Sequence, residues 1–218
     1  LRQERTPQSM ATQASSTGMG GRHWTRRDAL FHPLFWYMVP ATLGPSAFNT
    51  AFFFHQVHFA EIKGWTHLDL VALFPIYTAT GIAALFLSGW GLDKYGTARL
   101  IPFYQLPMAL SFVAFALADS SFGALAGFML IAMTTGANST LPNAFWAEFY
   151  GTAHIGAIKA LAAAVMVFGS AIGPGITGLL IDLGIGLERQ FLGVAVFFLL
   201  TSGLVFIGIR RARADLPV

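Results

Sequence analysis

Apolar residues in this 218-residue chain gather into six long runs, at about 34–57, 68–90, 100–118, 122–146, 158–181 and 190–209. A helix needs about 20 residues to cross a hydrocarbon core about 30 Å thick, and each run is long enough. Asp, Glu, Lys, Arg and His are almost absent from the six interiors. Pro40, Pro45, Pro75, Pro107, Pro142 and Pro174 lie inside them. Lipid-embedded helices tolerate such kinks when neighbours satisfy the carbonyls that a proline leaves free. The pattern predicts an all-α membrane protein with six transmembrane helices within residues 24–209. A polar stretch over 1–23 precedes them and a basic tail over 210–218 follows. Residues 1 to about 22 are rich in Gln, Ser, Thr and Gly. They hold too little apolar surface to bury and are expected to form a mobile tail or linker. In the next stretch, "WTRRDALFHP", Thr25 and Asp28 have the spacing of a helix-capping pair. Trp24 and Phe31 are expected in the headgroup region beside Arg26 and Arg27.

Composition agrees with that class. The chain is 55% hydrophobic and 11% charged, where a soluble domain carries about 25% charge. So few charges do not cover a water-facing surface. The net charge of +3 bears on orientation instead. With the N-terminus placed inside, Arg2, Arg5, Arg22, Arg26, Arg27, Lys94, Arg99, Lys159, Arg210, Arg211 and Arg213 fall inside, and only Lys63 and Arg189 fall outside. Eleven against two is a strong positive-inside bias, and it fits an even number of spans with both termini cytoplasmic. The expected location is the inner or plasma membrane. No basic run has the aromatic interleaving of a nucleic-acid site. The absence of cysteine excludes disulfide and thiolate chemistry. The first residue is Leu, and no apolar secretory core follows it; the chain is expected to be an internal piece of a longer protein or a trimmed one.

The loop between the second and third runs reads "GWGLDKYGTARL", Gly89 to Leu100. Gly89 and Gly91 are expected to let helices approach closely, Asp93 to cap or pair at a helix end, and Gly96 to allow a tight turn. The order Gly89, Asp93, Lys94, Gly96, Arg99 resembles the cytoplasmic loop signature of the major facilitator superfamily, although Thr97 and Ala98 stand where a basic residue is common. Six spans, inside termini and the polar leading stretch add to the resemblance, which covers about residues 24–209. "WAEFYGTAHIGAIKAL", from Trp146 to Leu161, also looks like the pattern of the loop between helices four and five in bacterial members. The resemblance implies the C-terminal six-helix half of such a transporter, built as a three-plus-three inverted repeat, with an N-terminal half in the same chain or missing. Gly89-x-x-x-Asp93 and Gly178-x-x-x-Asp182 echo that repeat. In the fifth run, Gly169, Gly173, Pro174 and Gly178 are assigned to helix packing.

Three sets of polar residues are candidates for function. His55, His58 and Glu61 follow one another three apart, but about 100° per residue leaves His55 and Glu61 about 120° apart around the helix. That spread does not suit a metal, which needs convergent ligands. The trio reads as the point where the helix meets water, or as a protonatable group at an outer mouth. In the fourth run, "MTTGANSTLPNAFW" puts Thr134, Asn138 and Asn143 on a broad polar face near Trp146. Such groups pair between helices or line a wet cavity. Asn49 and Tyr77 carry the same two readings. The resemblance raises Asn49, Asn138 and Asn143 as cavity residues, because the first and fourth helices of each half line the family's cavity. Glu148 faces the loop of Lys94 and Arg99, as a gate salt bridge or as a solvated charge.

No acidic or basic residue lies deep in any run. Either the coupling charges sit in another half or the solute is neutral or apolar. The reading is a transporter of a small solute by alternating access. Its partners are membrane lipid, the solute and an N-terminal half; it has no cofactor and no enzymatic activity. The alternatives are a stand-alone six-helix homodimer, a nonfunctional remnant and an intramembrane protease. The protease reading rests on "GPSA", Gly44 to Ala47, and Ser46 there lacks a base because the last histidine, His154, falls in a cytoplasmic loop.

Overall fold

Proline, glycine and short capping residues set where this chain is helical. The computed structural model describes residues 15–216, among which there are helices and turns but no strand. Thr25 and Asp28 form a reciprocal capping box that opens α1, Arg26–Phe31. Pro33 sits in the first turn of α2, Pro33–Phe54, where its missing N–H costs nothing. His55 leaves helical geometry, and α3, Gln56–Ile62, follows. A second capping box, Thr66 with Asp69, opens α4, His67–Val71, which leads into α5, Phe74–Tyr95. Gly96, at φ +76°, then turns the chain into α6, Thr97–Leu100. Turns fill 101–105 before α7, Leu106–Leu117. α8 is Ser121–Asn138, α9 Leu141–Tyr150, α10 Ile155–Asp182 and α11 Leu187–Ala212.

Each of the six apolar runs is therefore largely helical, and proline interrupts two of them. The third is unwound at 101–105, which contains Pro102 and ends just before Pro107, and the fourth breaks at Ser139 and Thr140 just before Pro142, because proline supplies no amide to the carbonyl one turn back. Four helical stretches are long and apolar enough to cross a membrane: His67–Tyr95, Ser121–Tyr150, Ile155–Asp182 and Leu187–Asp215. α7 is shorter, with 12 residues. α2 has 22, but Asn49, its hydroxyls and its prolines lower its apolarity.

The neighbour order in the bundle is α10, α2, α11, α7, α8, α5. Exchanging α2 with α8, α5 with α10 and α7 with α11 reproduces this order in reverse. The two outer pairings share a device. A Cβ on Gly173 of α10 would strike the Ala47 carbonyl of α2, and one on Gly136 of α8 would strike the Gly81 carbonyl of α5. Gly169 makes a second such approach to the Leu43 carbonyl. The end helices are the most naked. The apolar window of the stretch containing α5 is 6% buried and that of α10 17%, against 44% for α8–α9 and for α11.

Two apolar cores fill the bundle. One, around Phe35, Phe145, Trp146, Phe149 and Tyr150, lies at the end where Arg22, Arg99 and Arg213 gather. The other, around Phe52, Phe112, Phe115, Phe128 and Phe191, lies toward the opposite end. There Lys63 pairs with Glu188 and donates to the Ala116 carbonyl at 3.2 Å. That contact ties the segment after α2 to the end of α7 and the start of α11.

The polar leading stretch departs from expectation over residues 15–24; residues 1–14 lie outside the described part. Met19 is fully buried. Ser16 donates its amide to Thr152 Oγ1 at 2.9 Å, and the Thr152 amide donates to the Ser16 carbonyl at 3.0 Å. Gly18 and Gly151 allow this segment to lie directly on the end of α9, since a Cβ on either would meet the other segment's backbone. Trp24 is also buried. Its indole donates to the Met19 carbonyl at 3.0 Å and packs edge-on against Tyr150 and His32. One aromatic anchor and two glycines offset the polarity of the stretch, which composition averages away.

Candidate functional site

The functional geometry starts from a proline. Pro45 cannot donate to the Ala41 carbonyl one turn before it. Inside a bundle that oxygen needs other donors, and two residues of the unwound 101–105 segment supply them. Tyr104 Oη donates to it at 3.1 Å, and Gln105 Nε2 donates both to it and to Tyr104 Oη, the latter at 2.9 Å. The Tyr104 hydroxyl also lies 3.3 Å from Asn138 Oδ1, within donating distance, and Thr134 Oγ1 donates to the Tyr104 carbonyl at 3.3 Å. Helix α2, the 101–105 turns and the end of α8 are thus tied together at one buried polar level.

Beside this level the fourth apolar run breaks. Pro142 leaves Asn138 without its helical donor, so α8 ends at Asn138 and α9 starts at Leu141. The loose turn is held by Asn143 Nδ2 donating to the Ser139 carbonyl at 2.8 Å and by a 2.7 Å hydrogen bond between the hydroxyls of Ser88 and Thr140. A crevice of about 270 Å³ opens at the break. Thr42 of α2, Asn138, Asn143 and Trp146 of α8–α9, and Lys159 and Met166 of α10 line it. With Asn138 Oδ1 facing Tyr104, its amide N–H groups are left for the crevice. Asn143 Oδ1 and the Thr42 oxygen offer acceptors, and Lys159 adds a positive charge. The crevice can hold a small polar solute by several hydrogen bonds.

The other expected residues are placed apart from it. Asn49 lies on the same face of α2 as Thr42, about two turns away, and its buried Oδ1 has no hydrogen-bond partner. Tyr77 packs edge-on against Phe53 and Phe128 in the aromatic core. His55 Nδ1 lies 2.9 Å from the Ala51 carbonyl, whereas His58 faces Glu61 at 3.9 Å, with both side chains open to solvent. The three do not converge. A Cβ on Gly178 would come within 3.6 Å of His55 Nε2, an ordinary contact. Pro174 stays within a continuous α10.

At the basic end, Asp93, Lys94, Arg99 and Glu148 are all exposed, and among the described residues no ion pair joins Glu148 to Lys94 or Arg99. Lys94 instead lies over the Trp90 and Tyr95 rings, at 4.9 and 5.4 Å. Gly89 differs from expectation, since a Cβ on it would meet nothing within 4 Å. Its face has no neighbour in this bundle. Ser46 Oγ donates to the Met166 carbonyl at 2.6 Å, so that hydroxyl bridges α2 and α10 and is not set up as a nucleophile.

A family model described as the Major Facilitator Superfamily matches residues 2–174. The chain belongs to the major facilitator superfamily. No curated protein matches it. Members of the superfamily are transporters rather than enzymes, so the chain is a multi-pass membrane protein of transporter type. The crevice at the α8–α9 break also holds residues that the sequence did not single out. Thr42, Trp146 and Lys159 line it, and none of the three stood out as a cavity residue in the sequence. Lys159 carries a visible signal: it is the one basic residue near the start of the fifth apolar run, five positions into α10.

Proposed function

We propose that the chain is the C-terminal six-helix half of a major facilitator transporter and moves a small polar solute by alternating access across a cytoplasmic-type membrane. All six apolar runs cross the bilayer, with both termini at the basic, cytoplasmic end. The symmetric neighbour order of the helices supports a three-plus-three inverted repeat. The nakedness of α5 and α10 and the open face at Gly89 support a second half packing against those helices. The observation that carries the reading is the crevice at the α8–α9 break, with Asn138 and Asn143 on one wall and Lys159 on another. Asn49 extends this polar face outward, and the loop of Gly89, Asp93, Lys94, Gly96, Arg99 and Glu148 acts at the cytoplasmic gate. Lys159 adds a positive charge where the sequence offered a neutral cavity.

The 218 residues hold no cysteine, so one introduced here is unique within this half. Asn143→Cys is placed in the protein and challenged with a membrane-impermeant maleimide in inside-out and right-side-out vesicles. Alternating access to a central cavity predicts labelling from the cytoplasmic side that changes when the gate loop is mutated at Asp93. Labelling from neither side, or labelling indifferent to the gate, would remove Asn143 from a transport path.

A further inference from the structure

A second basic crevice lies away from the transport path, between the starting end of the third apolar run and the far end of α11. It has a volume of about 190 Å³ and is edged by Arg99, Arg210 and Arg213, with Pro102, Phe103 and Phe206 as apolar walls. The three arginines come from three separate elements: α6, the last turn of α11, and the 3₁₀ turn Arg213–Asp215. All three are exposed, and among the described residues no carboxylate lies within 4.0 Å of any of their guanidinium groups. Their neighbour Arg211 behaves differently, turning toward α2 and donating to Tyr37 Oη at 2.8 Å. Below the arginines, Phe103 and Phe206 pair at 6.1 Å while 52% and 41% exposed. This is an aromatic surface of the kind that sits at the boundary between headgroups and acyl chains. The Arg210 guanidinium lies 5.7 Å from the Phe206 ring, so charge and aromatic wall form one continuous surface.

We propose that this crevice binds the phosphate of an anionic phospholipid, with the arginines on the phosphate oxygens and the two phenylalanines against the upper acyl chains. Guanidinium groups match phosphate oxygens in pairs, and a basic pocket between helices at the membrane surface suits a lipid headgroup. A soluble anion has no use for the apolar wall. The inference needs only that the helices lie in a bilayer. It is independent of the solute, of the second half and of alternating access, so a failed transport assay leaves it standing.

Native mass spectrometry of the purified full chain in detergent tests it, with phosphatidylglycerol and phosphatidylcholine of equal acyl chains as probes. Phosphatidylglycerol is expected to be retained in preference. Each arginine near a lipid surface is worth about 1 kcal/mol, so R99Q/R210Q/R213Q should weaken retention by about a hundredfold. Arg210→Gln alone should lose about fivefold, and Arg189→Gln at the opposite end should lose none. Circular dichroism establishes that the variants keep their helices. Equal retention of the two lipids, or unchanged retention in the triple variant, overturns the proposal. Displacement of the lipid by millimolar inorganic phosphate would make this a free-anion site and would also overturn it.

Discussion

Single residues here act mostly through carbonyls and caps. The Ala41 carbonyl, left free by Pro45, is served by Tyr104 and Gln105. Gln105→Leu should therefore lower stability by about 0.5–1.5 kcal/mol, because the carbonyl loses one of its two donors and keeps Tyr104. In a Pro45→Ala background α2 can regain its own donor, and the same Gln105→Leu change should then cost less. Thermal unfolding of the four proteins of this cycle measures the coupling; strictly additive losses would show that Gln105 does not serve that oxygen. The Thr25–Asp28 cap supplies a pH prediction. Thr25 hydrogen bonds, from side chain and then backbone, hold the Asp28 carboxyl below its ordinary value of 3.8. A folded-state value below the unfolded one stabilises at pH above the unfolded value, and the contribution disappears as pH falls through the lower folded one. α1 should stay capped at neutral pH and loosen only below the usual carboxylate range. Asp28→Asn should abolish that pH dependence, as monitored by hydrogen exchange of the Asp28 amide, which donates to Thr25.

At the scale of elements, glycine decides which helices touch. Gly173 and Gly136 meet the carbonyls of Ala47 and Gly81, while a Cβ on Gly203 would meet open space. Gly173→Ala and Gly136→Ala should each destabilise by about 1–3 kcal/mol through overpacking against rigid backbone. Gly203→Ala should be neutral or slightly stabilising, because alanine is the better helix former. Melting temperatures in one detergent separate these outcomes, and equal effects at all three sites would show that close approach does not hold the outer pairs together. Proline acts at the same scale. It unwinds 101–105 and breaks the fourth run, and each interruption leaves polar groups at the level where the crevice opens.

At the scale of the whole molecule, what matters is motion. The Gly89–Arg99 loop, proposed as the cytoplasmic gate, is exposed, and among the described residues its charges are unpaired with Glu148. Asp93→Asn should therefore lower turnover more than solute affinity in the assembled transporter. A transport assay with separate kcat and KM checks this, and an unaltered rate would place Asp93 outside the gating step. Asn138→Ala should change apparent solute affinity, since its amide faces the crevice; an unaltered affinity would leave it only the bond to Tyr104. If the proposed second half packs against this one, the exposed flanks of α5 and α10 are where it would rest.

Hydrophobic runs of span length, a low charge content and the one-sided distribution of basic residues already determine a helical membrane protein, because these depend on the bilayer as solvent and not on which helices meet. The loop around Asp93 and Gly96 determines the family for a similar reason: its chemistry is local and consecutive. The Thr25–Asp28 cap and the helix ends near Phe54 and Asp182 are legible on the same ground. Only the tertiary structure decides that Pro45 on α2 is answered by Gln105 sixty residues later, that Lys159 shares a crevice with Asn138, and that Met19 and Trp24 bury a polar stretch. It also leaves Gly89 without a neighbour and gathers Arg99, Arg210 and Arg213 at one crevice. These facts rest on distances between segments remote in sequence, and such distances are fixed only when helices of nearly uniform hydrophobicity choose their neighbours by close packing.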